Sequence, residues 1–158
     1  NMKLSLNGAL TIGTLDGATI EILENVGAEN IFIFGNSTPQ VAALRSAGYQ
    51  PGDIVAAEPE LTRGLEAIRD GRFSPEEPQR YQSIYDTLVN WGDRYMLLAD
   101  YASYVAAQER VDALYLTPSL WAQKALRNVA GMGPFSSDRT IAEYAQQIWR
   151  THPVMLPA

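Results

Sequence analysis

Residues 1–35 read NMKLSLNGALTIGTLDGATIEILENVGAENIFIFG, and this stretch decides the fold class. Residues 10–12 form a short β-prone run. Residues 30–34 form a longer, continuous apolar run, which is typical of a strand that is covered on both faces. The stretch therefore predicts two short strands separated by about twenty residues.

The segment between the two runs has the signals of a helix. Ile20, Leu23 and Val26 recur at helical spacing and predict an inward face. Asp16 stands at the expected start of the helix and Gly27 at its end. The order strand, helix, strand predicts a small parallel α/β unit, which needs neighbouring strands to cover both of its faces.

From Thr38 onward the pattern is helical. The run at 95–99 is ambiguous between a strand and a buried turn. Proline, glycine and capping residues divide the remainder into helices expected at 38–47, within 51–71 (one short and one longer), and at 79–91, 100–116, 119–131 and 136–149. The expected inward faces of the fourth and the last of these are Tyr81, Ile84, Leu88 and Trp91, and Ile141, Tyr144, Ala145 and Ile148.

These patterns predict an α/β fold that is predominantly helical, with two or three short parallel strands. No internal repeat or clear linker interrupts the sequence. We expect residues 1–158 to form a single unit, with a small strand–helix–strand part at 1–35 and a helical part at 36–158. The length of 158 residues fits one domain or a large part of one.

Composition excludes several classes of function. The net charge of −6 disfavours binding to nucleic acid or to an anionic membrane surface, because both need clustered cations. The absence of cysteine excludes disulfides, thiolate metal sites and a cysteine nucleophile. No apolar run approaches the ~20 residues of a membrane-spanning helix. The first residues have no signal-peptide pattern. The sequence opens with Asn1 and not with Met, so we expect it to start inside a longer chain.

Lys3 is the first candidate for chemistry. It is the only lysine in the first hundred residues, and the other lysine is Lys124. A lysine in a glycine-rich, mildly apolar setting can form an imine with an aldehyde cofactor, provided that partial burial favours the neutral amine. The alternative is an ordinary solvated lysine near a chain end.

The remaining candidates have ordinary structural interpretations beside functional ones. Gly8, Gly13 and Gly17 fit neither G-x-G-x-x-G nor a P-loop, so they predict tight turns or, alternatively, close backbone approach to a phosphate. His152 is the only histidine, so it supports neither a Ser-His-Asp set nor a metal site, and we predict no metal. Acidic residues at 58, 60, 76 and 77 are typical of a solvated surface.

Three segments resemble one family. They are the run N-M-K-L-S-L-N-G-A-L-T-I-G-T-L-D-G-A at 1–18, the run E-N-I-F-I-F-G at 29–35, and F-S-S-D-R-T-I at 135–141 with the following Glu143, Tyr144, Ala145, Ile148 and Trp149. Their order and spacing are similar to those of the α-glucan phosphorylases, which act on glycogen, starch or maltodextrin. The first segment is long and ungapped, which makes the resemblance specific.

The resemblance implies a fold and a reaction. The chain would be the C-terminal part of a glycosyltransferase-B-type, Rossmann-like cofactor domain. The parent enzyme would be cytoplasmic and often allosteric, and would cleave terminal α-1,4 bonds of a glucan with inorganic phosphate to give α-D-glucose 1-phosphate. Lys3 aligns with the lysine that holds pyridoxal 5′-phosphate as an imine, and the cofactor's own phosphate exchanges a proton with the substrate. No other catalytic residue is carried over.

The sequence departs from the family by what it lacks. The glycine-rich loop that precedes the lysine segment, the basic residues that hold the substrate phosphate and the N-terminal domain are all missing. We therefore expect the isolated chain to be inactive, and its open sheet edge and uncovered apolar surface to favour self-association. The alternative is a helical, non-catalytic interaction or dimerisation module.

Overall fold

The computed structural model describes residues 1–152 and 154. Its strands are β1 (Ile12–Thr14) and β2 (Phe32–Phe34), and its helices are α1 (Met2–Leu6), α2 (Gly17–Val26), α3 (Thr38–Ser46), α4 (Pro51–Ala57), α5 (Pro59–Arg69), α6 (Gln82–Tyr85), α7 (Tyr101–Tyr115), α8 (Pro118–Gly131) and α9 (Ser137–Glu143). Short 3₁₀ turns lie at Ala28–Asn30, Leu98–Asp100 and Gly133–Phe135. The predominantly helical α/β class is confirmed.

The strand–helix–strand prediction for the first 35 residues is confirmed, with both strands starting two residues later than expected. β1 and β2 pair as a parallel two-stranded sheet, whose first hydrogen bond runs from Phe32 N to Thr11 O at 2.9 Å. The two residues that precede Phe32 leave the strand because the chain makes a 3₁₀ turn at Ala28–Asn30. Asn30 is buried there and turns its amide inward.

The buried face of α2 differs from the predicted one. Thr19, Ile22 and Val26 are buried, whereas Ile20 is 40% exposed. The two faces share Val26, and both have helical spacing, so periodicity alone could not distinguish them. The observed face is the one that packs on α8.

The chain divides into two compact units. Unit 1 comprises residues 1–12, 17–32 and 113–158, so far as they are described. In it α1 and α2 both pack on α8. The approach of α2 to α8 is close, because a Cβ at Gly131 would lie 2.8 Å from Asn25 O. Asn128, on the same helix, is fully buried and donates to Asn30 O at 2.8 Å.

Unit 2 comprises residues 13–16 and 33–112. The predicted pair of helices within 51–71 is confirmed as α4 and α5. The ambiguous run at 95–99 is a turn that ends in the 3₁₀ segment Leu98–Asp100, with Met96 and Leu98 buried. The expected partition of the chain at residue 35 stays a prediction.

Two predicted helices are interrupted by π-helical turns, at Asp86–Asn90 and at Tyr144–Trp149. A π turn bonds each residue to the fifth one along, so residues spaced for an α-helix no longer share a face. In the first case Ile84 and Trp91 are exposed, contrary to the predicted inward face. In the second, the predicted face is also wrong, because Ala145 is half-buried but three other members are exposed: Ile141, Tyr144 and Ile148.

Candidate functional site

Lys3 is the second residue of α1, a five-residue helix with defined ends. Asn1 caps its start, accepting from Met2 N through Oδ1 at 2.9 Å. Asn7 follows its last residue, and Asn7 Nδ2 donates to the carbonyl of Lys3 at 2.7 Å. Side chains of asparagine commonly satisfy the free backbone groups at helix ends in this way. The backbone of Lys3 is therefore held in one conformation.

Two contacts fix α1 on the rest of unit 1. Ser5 is fully buried, and its hydroxyl lies 3.1 Å from the hydroxyl of Thr11, which precedes β1. Gly8 ends the helix region with a φ of +86°, a conformation that favours glycine, and a Cβ there would lie 3.8 Å from Ala125 Cβ in α8. α1 is thus tethered to the sheet at one side and to α8 at the other.

The side chain of Lys3 is exposed. Within residues 1–152 and 154, no hydrogen bond or ion pair to its amine is formed. Imine formation needs a neutral amine, which burial favours. The described residues do not provide the partial burial that would favour a neutral amine, and the role of Lys3 stays a prediction.

A cavity of about 600 Å³ lies beside α1 in unit 1, lined in part by Met2. Two carboxylates line it, Glu21 and Glu24, and neither forms an ion pair among the described residues. Arg139 also lines it, but its guanidinium is already engaged by Glu143 Oε1 at 2.8 Å and by the Pro134 carbonyl at 2.6 Å. The lining is therefore net negative, which disfavours an anionic group.

These residues do not by themselves fit pyridoxal phosphate. The cofactor carries an aldehyde, which needs an amine, and a phosphate, which needs converging donors. Lys3 supplies the amine. The part of the chain that the structure describes places two unpaired carboxylates, and one occupied guanidinium, in the neighbouring cavity. We therefore derive no reaction step through the cofactor from this chain.

The glycine and histidine candidates contribute no further group. Gly17 has a φ of +46° and lies at the start of α2, and Gly13 lies within β1. His152 is exposed. Among the described residues, no group of three or more His, Cys, Asp or Glu side chains is arranged to hold a metal ion. None of the helices described is both long and apolar enough to cross a membrane.

Sequence reasoning missed a buried polar cluster around Asp93 in unit 2. Asp93 is 2% exposed and accepts three hydrogen bonds, from Tyr49 Oη at 2.9 Å, Leu97 N at 2.9 Å and Leu98 N at 2.7 Å. Burial, followed by the hydrogen bond and the negative charge of Asp93, raises the pKa of Tyr49 above its usual range. The dipeptide Gly92-Asp93 after a helical run is the turn signal that could have located this cluster.

Comparison with known proteins covers almost all of the chain. The carbohydrate phosphorylase family model matches residues 1–151. The chain is 49% identical over 156 residues to a glycogen phosphorylase of Haemophilus influenzae, and 50% identical over 154 residues to a glycogen phosphorylase of Pasteurella multocida. It is 48% identical over 153 residues to the human liver form of glycogen phosphorylase.

The alignments cover nearly all of this chain but only a small part of each relative. The alignments cover 99%, 98% and 97% of this chain but only 19%, 19% and 18% of the three relatives. The chain therefore spans about a fifth of the length of the curated relatives that it matches.

Proposed function

The chain belongs to the carbohydrate phosphorylase family, and from this we propose that it is the cofactor-anchoring, C-terminal part of an α-glucan phosphorylase. The family match over residues 1–151, with about half of the residues identical to glycogen phosphorylases, carries the proposal. The alternative, a non-catalytic interaction module that keeps the family sequence without the activity, is not favoured, because the relatives that match almost the whole chain are glycogen phosphorylases.

The proposed reaction belongs to the whole protein. The longer enzyme would cleave the terminal α-1,4 bond of glycogen or a related glucan with inorganic phosphate, releasing α-D-glucose 1-phosphate, in the cytoplasm and under effector control. The chain described would be one incomplete domain of it, with residues 1–35 and 36–158 as its two parts. When bound, pyridoxal phosphate would supply a phosphate group as proton donor and acceptor.

Lys3 is the residue that we propose for the anchor. In support, its backbone is capped at Asn1 and bonded to Asn7, so the amine extends from a fixed point. Its side chain is exposed, and therefore within reach of a cofactor that the rest of the enzyme would help to hold.

Borohydride trapping tests the anchor. The chain is incubated with pyridoxal phosphate, reduced, digested and mapped by mass spectrometry. We expect an adduct at Lys3 that Lys3→Ala abolishes. Lys124→Ala is the matched control, since Lys124 is the other lysine and its amine already donates to the Glu29 carbonyl. Fragmentation of the digested peptides distinguishes an adduct at Lys3 from one at the α-amine of residue 1. An adduct confined to that α-amine or to Lys124 would contradict the assignment.

A phosphorolysis assay tests whether the reaction requires the longer protein. We expect the isolated 158 residues to lack the clamp for substrate phosphate and half of the cleft, and transfer of a glucosyl group to phosphate depends on such positioning and electrostatic stabilisation. We expect no glucose 1-phosphate from glycogen and phosphate, and full activity from the longer protein that contains this sequence. Release of glucose 1-phosphate by the isolated chain would overturn the claim of inactivity. An inactive longer protein would overturn the proposed reaction.

A further inference from the structure

Unit 2 contains an apolar cavity of about 310 Å³ that the proposed reaction does not use. Leu65 and Leu98 form its floor, and they are only 4% and 3% exposed. Leu97 and Tyr104 lie at its mouth, and they are 57% and 41% exposed. The cavity therefore has a buried base and an opening to solvent within one unit.

One wall of the cavity is aromatic and fixed. The rings of Phe34 and Tyr104 meet edge to face, with their centroids 5.2 Å apart and their planes at 63°. The hydroxyl of Tyr104 also accepts a hydrogen bond from Gln108 Nε2 at 2.7 Å. Because both contacts restrain the ring, the wall has a defined shape before any ligand arrives.

The cavity lining offers a water molecule few hydrogen-bonding partners. Its carboxylate belongs to Asp100, whose Oδ1 already accepts from Asn36 N and from Asn36 Nδ2, each at 2.7 Å. The rest of the lining comes from leucine and aromatic side chains. A water molecule needs two to four polar partners to be stable in a cavity, and apolar cavities stay dry and accept small hydrocarbons.

From this geometry we propose that unit 2 binds a small, uncharged, apolar molecule in the cavity over Leu65 and Leu98. A volume of this size is at the lower end of the range for small-molecule sites. It is far above the water-sized voids that a packed interior retains. The negative charge of Asp100 selects against anions, and burial selects against any charged group.

Benzene is the probe for this site. Titration into the whole 158-residue chain, with isotope-labelled leucine methyl groups, is expected to give saturable shifts at Leu65 and Leu98. We expect benzoate to bind at least roughly tenfold more weakly than benzene, because its carboxylate would be desolvated near Asp100. Absence of saturable shifts up to the solubility limit of benzene would overturn the proposal, and so would benzoate binding as well as benzene.

A filling variant, in which a larger side chain occupies part of the cavity, tests where the ligand binds. Leu97→Trp places an indole at the mouth and is expected to weaken benzene binding at least tenfold, a change of about 1.4 kcal/mol, while the circular dichroism spectrum is kept. Leu120→Trp is the matched control, since Leu120 is 42% exposed in unit 1 and does not line the cavity. If Leu97→Trp does not fold, Leu88→Trp from another wall makes the same test.

One further outcome would overturn the proposal, namely a filling variant that binds benzene as tightly as the wild type does. This outcome depends neither on the lysine adduct nor on phosphorolysis, so the test of this cavity is independent of the tests of the proposed function.

Discussion

At the scale of single residues, Asp93 determines the turn that precedes α7. It is buried, has a φ of +44°, and receives one side-chain and two backbone hydrogen bonds. Aspartate and asparagine are enriched in this left-handed region, whereas most residues avoid it. The position therefore needs both the backbone tolerance and the acceptor atoms of its side chain.

We expect Asp93→Ala to lower the free energy of unfolding by about 2–4 kcal/mol, because it leaves buried donors without a partner. Asp93→Asn keeps the shape and one acceptor oxygen, so its loss should be smaller. Asp112→Ala, at an exposed position of α7, is the control and should stay within about 0.5 kcal/mol. Urea denaturation measures the free energy of unfolding of all three variants. Equal decreases for Asp93→Ala and Asp112→Ala would contradict the role of Asp93 as a buried acceptor.

Tyr49 gives the molecule a dependence on alkaline pH. Burial and the neighbouring Asp93 raise its pKa in the folded state, so the folded chain keeps the phenolic proton more tightly than the unfolded chain does. The resulting stability is present below about pH 10, the usual pKa of tyrosine, and is lost as the pH rises further. Comparison of unfolding midpoints at pH 8 to 11 should show a steeper decline for the wild type than for Tyr49→Phe. Parallel profiles would show that Tyr49 does not contribute.

Two residues show which features could not be predicted from the sequence. Lys3 was identified by resemblance, and its position on a helix became visible only in the structure, because a five-residue helix has too few positions for periodicity to be read. Its exposure depends on which way α1 packs. Asp93 was missed because burial of a carboxylate is set by contacts with Tyr49, forty-four positions away.

At the scale of secondary-structure elements, two helical glycines differ in their surroundings. Gly64 lies within α5 and has open space around it, so Gly64→Ala should stabilise the chain by about 0.5–1 kcal/mol through helix propensity alone. Gly131, the last residue of α8, faces α2 so closely that a Cβ would lie 2.8 Å from Asn25 O. Gly131→Ala should therefore destabilise the chain.

The two substitutions add the same methyl group, so opposite signs in thermal unfolding would isolate the effect of the close approach between α2 and α8. If both variants are more stable than the wild type, the added methyl group at Gly131 is accommodated, and the contact between α2 and α8 does not limit the side chain at this position.

Elements were predictable to different degrees. Helices that begin at a proline, such as α4, α5 and α8, lie close to their predicted positions. The segments 79–91 and 136–149 were predicted as continuous helices, and the π turns within them changed their faces. A π turn has no strong sequence signal, because it is stabilised by local packing and not by a cap or breaker residue.

At the scale of the whole molecule, apolar exposure should produce self-association. The C-terminal segment alone exposes Ile141, Tyr144, Ile148 and Trp149, by 45 to 63% each. Such clusters are typical of surfaces that another chain covers. Each copy carries a net charge of −6, so copies repel one another at low ionic strength, and salt screens that repulsion.

We expect the mean molar mass in light scattering to rise with protein concentration, and to rise further between low and physiological salt. The double variant Ile141→Lys, Ile148→Lys should weaken association by roughly a hundredfold or more, because burial of each isoleucine contributes about 1.5–3 kcal/mol. Leu116→Lys, at another exposed apolar position, is the matched control. A monomer at all concentrations and salt conditions would contradict the expectation.

The segment order of unit 1 has a consequence for synthesis. α1 packs on α8, which begins at Pro118, although the helix that carries Lys3 is among the first residues of the sequence. Contacts this distant along the chain form late, since the whole of unit 2 must be made before the partner helix leaves the ribosome. At roughly 5–20 residues per second, Lys3 waits several seconds for its final setting. A helix that is made before its partner is therefore packed only after residues 118–131 have been synthesised, and the surroundings of Lys3 are completed at that point.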